Sequence, residues 1–213
     1  MLIKITDEKL LEKTLQEMVF PPKTYEKPFL ITLCGYSGSG KTTFAKVLSQ
    51  ELKAYIVGGE HIRQQLYREP FCYDDEKNNR VTSEICKKEV EYLLDHHISV
   101  ILDKSVSSKE TKEQLQKEFP NLISIHLISS DEENIKRLKQ KQIQKTNFEL
   151  EAWGDVKDES GVYLDPEKIY EIIKKRKVYD LEEFDYEVNT LQPLEKVIED
   201  VRKIAEEIRK NQQ

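Results

Sequence analysis

Cysteine is scarce in this sequence, long apolar runs are missing, and there is no excess of positive charge. The three cysteines among 213 residues, Cys34, Cys72 and Cys86, are odd in number and show no C-x-x-C spacing. Neither a disulfide framework nor a zinc site is expected, and the thiols read as reduced in a cytoplasmic protein. No apolar run approaches the roughly 18 residues that cross a bilayer. The start, Met1-Leu2-Ile3-Lys4-Ile5-Thr6-Asp7, lacks the basic-then-apolar order of a secretory leader, so the expectation is a chain that stays where it is made and engages no membrane. Lys and Arg number 34 against 40 Asp and Glu, a formal charge of −6, which disfavours a broad nucleic-acid footprint unless the basic residues cluster. His61, His96, His97 and His126 have no metal-ligand spacing with acids or cysteines, and structural or exposed roles are expected for all four. Internal repeats and low-complexity linkers are absent as well, and the length suits one domain with insertions.

Glycine is also sparse, seven in all, yet three of them stand in one stretch, Gly35-Tyr36-Ser37-Gly38-Ser39-Gly40-Lys41-Thr42-Thr43. The stretch follows the apolar run Phe29–Cys34 and precedes an amphipathic run through Phe44, Ala45, Val47, Leu48 and Leu52. It fits G-x-x-x-x-G-K-[ST], the phosphate-binding P-loop or Walker A motif, in its strand-then-helix context. Glycines allow backbone angles closed to other residues, so that successive N–H groups turn inward around a phosphate. The helix start adds free N–H groups and a positive dipole end. Lys41 would reach the β- and γ-phosphates and Thr42 would ligate Mg²⁺, so residues 35–43 are expected to bind a nucleotide.

Thr6 or Asp7 can cap a helix through Leu10, Leu11, Leu15 and Met18, and Pro21, Pro22 and Pro28 hold the chain extended after it, so residues 1–28 read as a helical appendage. The second strand signal, Ala54-Tyr55-Ile56-Val57, brings Glu60 and Arg63 to the edge where ligands bind in open α/β sheets. Residues 64–80 mix aromatics with polar residues. Tyr73 and Arg80 are substrate candidates there, and an ordinary loop anchored by its aromatics is the competing reading. A helix marked by Val81, Ile85, Cys86, Val90, Leu93 and Leu94 follows.

The third strand signal, Ile98–Asp103, stops on a carboxylate able to hold a water of the Mg²⁺ shell or to take a proton, although a turn or capping aspartate would look the same. The fourth is Leu122–Ile128, after which Ser130 and Glu133 form a capping box opening a helix that carries Ile135, Arg137 and Leu138. From about Lys145 to Asp165 the pattern weakens, acids gather around Trp153, and a lid spanning about 137–176 is expected. Asp165-Pro166 opens a helix ending in Lys174-Lys175-Arg176-Lys177; Tyr186–Thr190 is the last strand signal, and a terminal amphipathic helix runs to Ile208. Strands alternating with helices predict a five-stranded parallel sheet covered on both faces, a P-loop NTPase α/β/α sandwich over residues 29–213.

A P-loop alone does not name a reaction. No guanine-reading N-K-x-D is present, and the added subdomain of a motor ATPase is missing. The sequence resembles the P-loop kinases related to zeta toxins, adenylyl-sulfate kinases and polynucleotide 5′-kinases. The likeness rests on the P-loop, on Glu60-His61-Ile62-Arg63 against the group's D-x-x-R, and on Ile101-Leu102-Asp103. It also rests on Arg137 at a lid start, on Arg176-Lys177-Val178-Tyr179 against R-x-x-Y, and on Asp185 followed by Val188-Asn189-Thr190. What the resemblance implies is transfer of the γ-phosphate of ATP, with Mg²⁺, to a hydroxyl of a sugar-, nucleoside- or nucleotide-like acceptor. Glu60 would be the general base, Arg63 the orienting group, and Lys41, Arg137 and Arg176 the cations that offset phosphoryl charge. Two departures stand out: glutamate replaces the group's aspartate at position 60, which leaves Asp103 as the alternative base, and Lys104 replaces a small residue. Arg137 and Arg176 also lie in basic runs of the kind that usually form solvated faces. The alternatives are a polynucleotide 5′-hydroxyl kinase and a nucleotide-binding interaction module without phosphotransfer.

Overall fold

Short runs of β-branched residues and leucine bounded by turns become strands when helices can cover both of their faces. The computed structural model of the chain describes residues 9, 12, 15, 16, 25–59, 62, 75–106, 108–143, 165–176 and 183–212, with 75–79, 142, 143, 169, 172, 173 and 176 described by backbone alone. The first three strand and helix pairs are β1 (Leu30–Cys34) with α1 (Lys41–Leu52), β2 (Tyr55–Gly58) with α2 (Asp75–Asp95), and β3 (Val100–Ser105) with α3 (Lys109–Glu118). After them come β4 (Leu122–Ile128), α4 (Asp131–Ile143), α5 (Pro166–Arg176), β5 (Tyr186–Asn189) and α6 (Leu194–Asn211). The strands lie in the order β2-β3-β1-β4-β5 and every pairing is parallel. This is the five-stranded parallel sheet read from the sequence, with β1 at its centre.

Alternation along β1 separates two cores. Ile31 and Leu33 face α1 and α6, packing with Phe44, Leu48, Leu52, Val201 and Ile208, while Leu30 joins Val81, Ile85, Val90 and Leu93 of α2 on the other face. Such buried leucines and isoleucines each contribute about 1.5–3 kcal/mol, so the central strand is fixed from both sides. Among the described residues ahead of β1, Lys9, Glu12, Leu15 and Gln16 are helical, and Leu15 packs against the α2-side core.

Three local differences from the sequence reading have simple causes. The segment of α3 carries one strong apolar residue, Leu115, so its periodicity is silent; the helix is started by Ser108, whose hydroxyl accepts the Thr111 N–H at 3.2 Å. Strand β3 runs two residues past Asp103, because a register break after Thr32 lets Leu33 pair with Ser105 when Thr32 has paired with Leu102. The capping box at Ser130 is half made: the Glu133 N–H donates to the Ser130 hydroxyl at 3.2 Å, while the Glu133 carboxylate accepts from Lys136 and Arg137. Among the described residues no helix is long and apolar enough to cross a membrane.

Candidate functional site

Strand β1 ends at Cys34 and α1 starts at Lys41, so the glycine-bearing stretch is the turn at the C-terminal edge of the sheet's central strand. Gly38 and Gly40 adopt left-handed backbone, with φ of +86° and +95°, which a side chain would strain. Gly38 has a second reason to lack one. A Cβ there would stand 2.4 Å from the Asn134 carbonyl oxygen and 2.8 Å from its Cα, because the first turn of α4 is seated directly on the loop. Gly40 caps α1 without any side-chain hydrogen bond, and the first turn of α1 holds no acid. Its leading N–H groups and positive dipole end are therefore left to an anion.

Lys41 Nζ donates to the carbonyl oxygens of Gly35 and Tyr36, each at 2.8 Å. The ammonium thus sits across the start of the loop. Ser105 Oγ donates to the same Gly35 carbonyl at 3.1 Å, tying the end of β3 to the P-loop. Thr42 and Thr43 are exposed at the start of α1, Tyr36 and Ser37 are half-buried, and Ser39 is fully buried. Asp103 is half-buried on β3 in register with Gly58, and its Cβ would lie 3.8 Å from a Cβ placed on that glycine. A hydroxyl at the P-loop helix and a carboxylate on the neighbouring strand are oxygen donors of the kind that suits Mg²⁺.

Arg137 lies beside the loop, and its fork is already engaged. Nη2 donates to the Thr190 carbonyl at 2.7 Å and Nη1 to the Thr190 hydroxyl at 3.3 Å, with the Gly38 carbonyl 3.4 Å from the same nitrogen. Nε donates to Glu133 at 3.0 Å. The hydrogen bond from Lys136, and after it the one from Arg137, hold the Glu133 carboxyl below its ordinary value. The arginine therefore joins the P-loop, α4 and the end of β5. Arg80 lies on an exposed face of α2, 3.9 Å from Glu84 one turn on, and Arg176 ends α5 with only its backbone described. Glu60, Arg63, Tyr73 and the expected lid stretch from 145 to 164 lie outside the described residues. Between the first two, Ile62 is helical and fully buried in the α2-side core.

Sequence reading missed the cluster on the other flank of the loop. Asn134, 0% exposed, donates through Nδ2 to the Tyr170 hydroxyl at 3.2 Å, and Tyr170, 1% exposed, donates to Asp131 at 2.6 Å. Asp131 also accepts from Lys174, whose Nζ lies 5.5 Å from the centre of the Tyr36 ring. The Tyr36 and Tyr170 rings stand 6.2 Å apart. Lys174 first, and then Tyr170, pull the Asp131 carboxyl below its ordinary value; burial, followed by the bond to Asp131, pushes the Tyr170 hydroxyl well up. No motif marks these residues: Asp131 reads as part of a cap, and Tyr170 as one more position on an amphipathic helix. Only the seating of α4 and α5 on the P-loop puts them beside Tyr36.

Sheet order, P-loop and flanking helices together define a P-loop NTPase-like α/β fold. A family model described as an AAA domain matches residues 31–154, more than half of the chain, and the chain belongs to that family. No curated protein matches the sequence. Among solved structures, the chain is similar to an APS kinase from Mycobacterium tuberculosis in complex with AMPPNP and APS, 12% identical with a TM-score of 0.54, covering 85% of this chain and 95% of that one. It is also similar to a gluconokinase from Sinorhizobium meliloti, 16% identical with a TM-score of 0.54, covering 87% and 95%. A shikimate kinase from Bacteroides thetaiotaomicron is 15% identical with a TM-score of 0.54, covering 85% and 98%. At these identities the likeness establishes the fold.

Proposed function

We propose that the chain is an ATP-dependent kinase that transfers the γ-phosphate to a hydroxyl of a small sugar-, nucleoside- or nucleotide-like acceptor, in the manner of the zeta-toxin and adenylyl-sulfate kinase group. The observation that carries the reading is the loop itself, where Lys41 spans the Gly35 and Tyr36 carbonyls and the start of α1 is uncapped by any side chain or acid. The three kinases named above, which phosphorylate small molecules by their names, support the acceptor class.

In the proposed reaction the acceptor oxygen forms a bond to the γ-phosphorus, the bond to the ADP oxygen breaks, and the acceptor proton passes to a carboxylate. The P-loop N–H groups and Lys41 hold the phosphates in line. Thr42 and, through water, Asp103 would hold Mg²⁺, which neutralises charge on the β- and γ-oxygens. Glu60 takes the proton if its carboxylate comes within about 2.6–3.2 Å of the hydroxyl, and Asp103 does so otherwise. Arg63, Tyr73 and Arg80 are assigned to the acceptor side, Arg137 and Arg176 to the nucleotide side, and about 137–176 to a lid that excludes water on closing.

Lys41→Ala should lower ATP turnover by about 10²-fold or more while circular dichroism shows an intact fold; full turnover in that variant would sink the proposal. Incubating the protein with γ-labelled ATP and a metabolite pool should yield a labelled small molecule. Label on RNA 5′ ends would identify a polynucleotide kinase instead, and no labelled product an interaction module. Glu60→Gln and Asp103→Asn, compared at saturating ATP, assign the base to whichever loses turnover and keeps ATP affinity.

A further inference from the structure

Lys174 lies in a run of four basic residues, Lys174-Lys175-Arg176-Lys177, where a solvated face is the ordinary reading. Its surroundings differ from that. The ammonium is paired with Asp131 and lies 5.5 Å from the centre of the Tyr36 ring, on a P-loop residue whose carbonyl receives Lys41. The side chain is 35% exposed and that of Asp131 49%. An ion pair this open contributes little to stability, so its consequence is where it leaves the charge. Asp131 is in turn fixed by the hydroxyl of fully buried Tyr170, and Tyr170 by Asn134, the residue on which Gly38 rests. The chain of contacts leaves the P-loop at Gly38, crosses α4 and α5, and returns to the P-loop at Tyr36.

We infer that Lys174 is a second lysine of the phosphate site, held over the start of the P-loop by Asp131, with Tyr170 and Asn134 as the positioning residues that set Asp131. The ligand chemistry is the β,γ-phosphate end of a nucleoside triphosphate, and the inference rests on the nucleotide reading of the site. Lys41 and Lys174 then border the two faces of one residue, Tyr36, one at its carbonyl and one at its ring. Because Asp131 belongs to the first turn of α4 and Lys174 to α5, the cation is delivered only when both helices are seated on the loop. The arrangement makes Tyr170 the part that reports their seating, since its hydroxyl bonds α4 at both Asp131 and Asn134.

The test is calorimetric titration of the full chain with AMPPNP, ADP and AMP. Lys174→Met should weaken AMPPNP by about tenfold, the loss of one charge-assisted contact, and leave AMP within twofold; Lys174→Arg should recover most of the loss. Tyr170→Phe should weaken AMPPNP in the same direction by a smaller factor, again sparing AMP. AMPPNP affinity within twofold of wild type for a folded Lys174→Met overturns the inference and leaves the nucleotide reading standing. Equal losses for all three nucleotides overturn it too, because they mark a merely structural role. If the wild-type chain itself fails to bind AMPPNP, the nucleotide reading falls and the inference with it. Asp131→Asn gives a second variant in which Lys174 is present but no longer held, and it should lose AMPPNP affinity as Lys174→Met does.

Discussion

At the scale of single residues, the P-loop is held by contacts that its own motif does not specify. Gly38 is required twice over, by its φ of +86° and by the Asn134 backbone 2.4 Å from where a Cβ would be. A backbone oxygen cannot swing away as a side-chain tip can, so Gly38→Ala must push α4 off the loop or distort the loop. The expected cost is about 2 kcal/mol of stability together with weakened AMPPNP binding, read by thermal melting and titration. Unchanged melting and affinity would mean that α4 does not rest on the loop in solution. Arg137 illustrates the reverse case, in which a residue assigned to nucleotide from the sequence has structural bonds as well. Its hydrogen bonds to Glu133 and Thr190 hold α4 against the end of β5, so truncating it would disturb the site even with no phosphate contact.

At the scale of elements, α2 carries a polar residue in a place made for apolar ones. Glu89 is 2% exposed on the face that packs toward β2, its Oε1 makes no hydrogen bond, and burial pushes its carboxyl up to about 7. Tyr55, on β2, has its hydroxyl raised by burial first and by the Glu89 charge second. In the unfolded chain the carboxyl titrates near its ordinary value of 4.5. Between that pH and about 7 the folded state keeps a proton that the unfolded state has lost, so stability falls as pH rises through this window and stays low above it. The full effect is about 3 kcal/mol. Glu89→Gln should flatten the slope of stability from pH 5 to 8, measured as the urea midpoint, and raise the midpoint at pH 8; a slope identical to wild type would assign the dependence to other groups. The helix was legible from Val81, Ile85, Cys86, Val90 and Leu93, all of them buried. The energetic peculiarity of Glu89 was not, since a lone acid within a charged helix reads as solvated until its burial is seen.

At the scale of the molecule, one sheet with a core on each face is closed by the chain that enters it. Tyr25 is 7% exposed, its hydroxyl donates to the Leu52 carbonyl at 2.6 Å at the end of α1, its N–H donates to the His97 carbonyl at 3.1 Å, and its ring meets Phe29 edge-on at 4.9 Å. It links the segment before β1 to the α1 side of the sheet and to the turn after α2. Tyr25→Phe should cost about 1 kcal/mol through the lost hydrogen bond, and Tyr25→Ala about 4 kcal/mol through the lost ring, both read by denaturant unfolding. Equal costs would place the stabilisation in the hydroxyl rather than in packing.

By itself the sequence determined the parallel five-stranded architecture and the donor loop, because both are written in local patterns. Apolar runs alternate with amphipathic ones, and Gly35–Thr43 carries its chemistry in consecutive residues, whose spacing survives any uncertainty about the fold. Tertiary structure alone decided what stands around that loop. Asn134 under Gly38, Tyr170 on Asp131, Lys174 over Tyr36 and Thr190 on Arg137 join residues from 39 to 138 positions apart. Such pairings arise only once α4 and α5 pack on each other and on the P-loop, and no periodicity or motif in a single sequence encodes where two helices will meet.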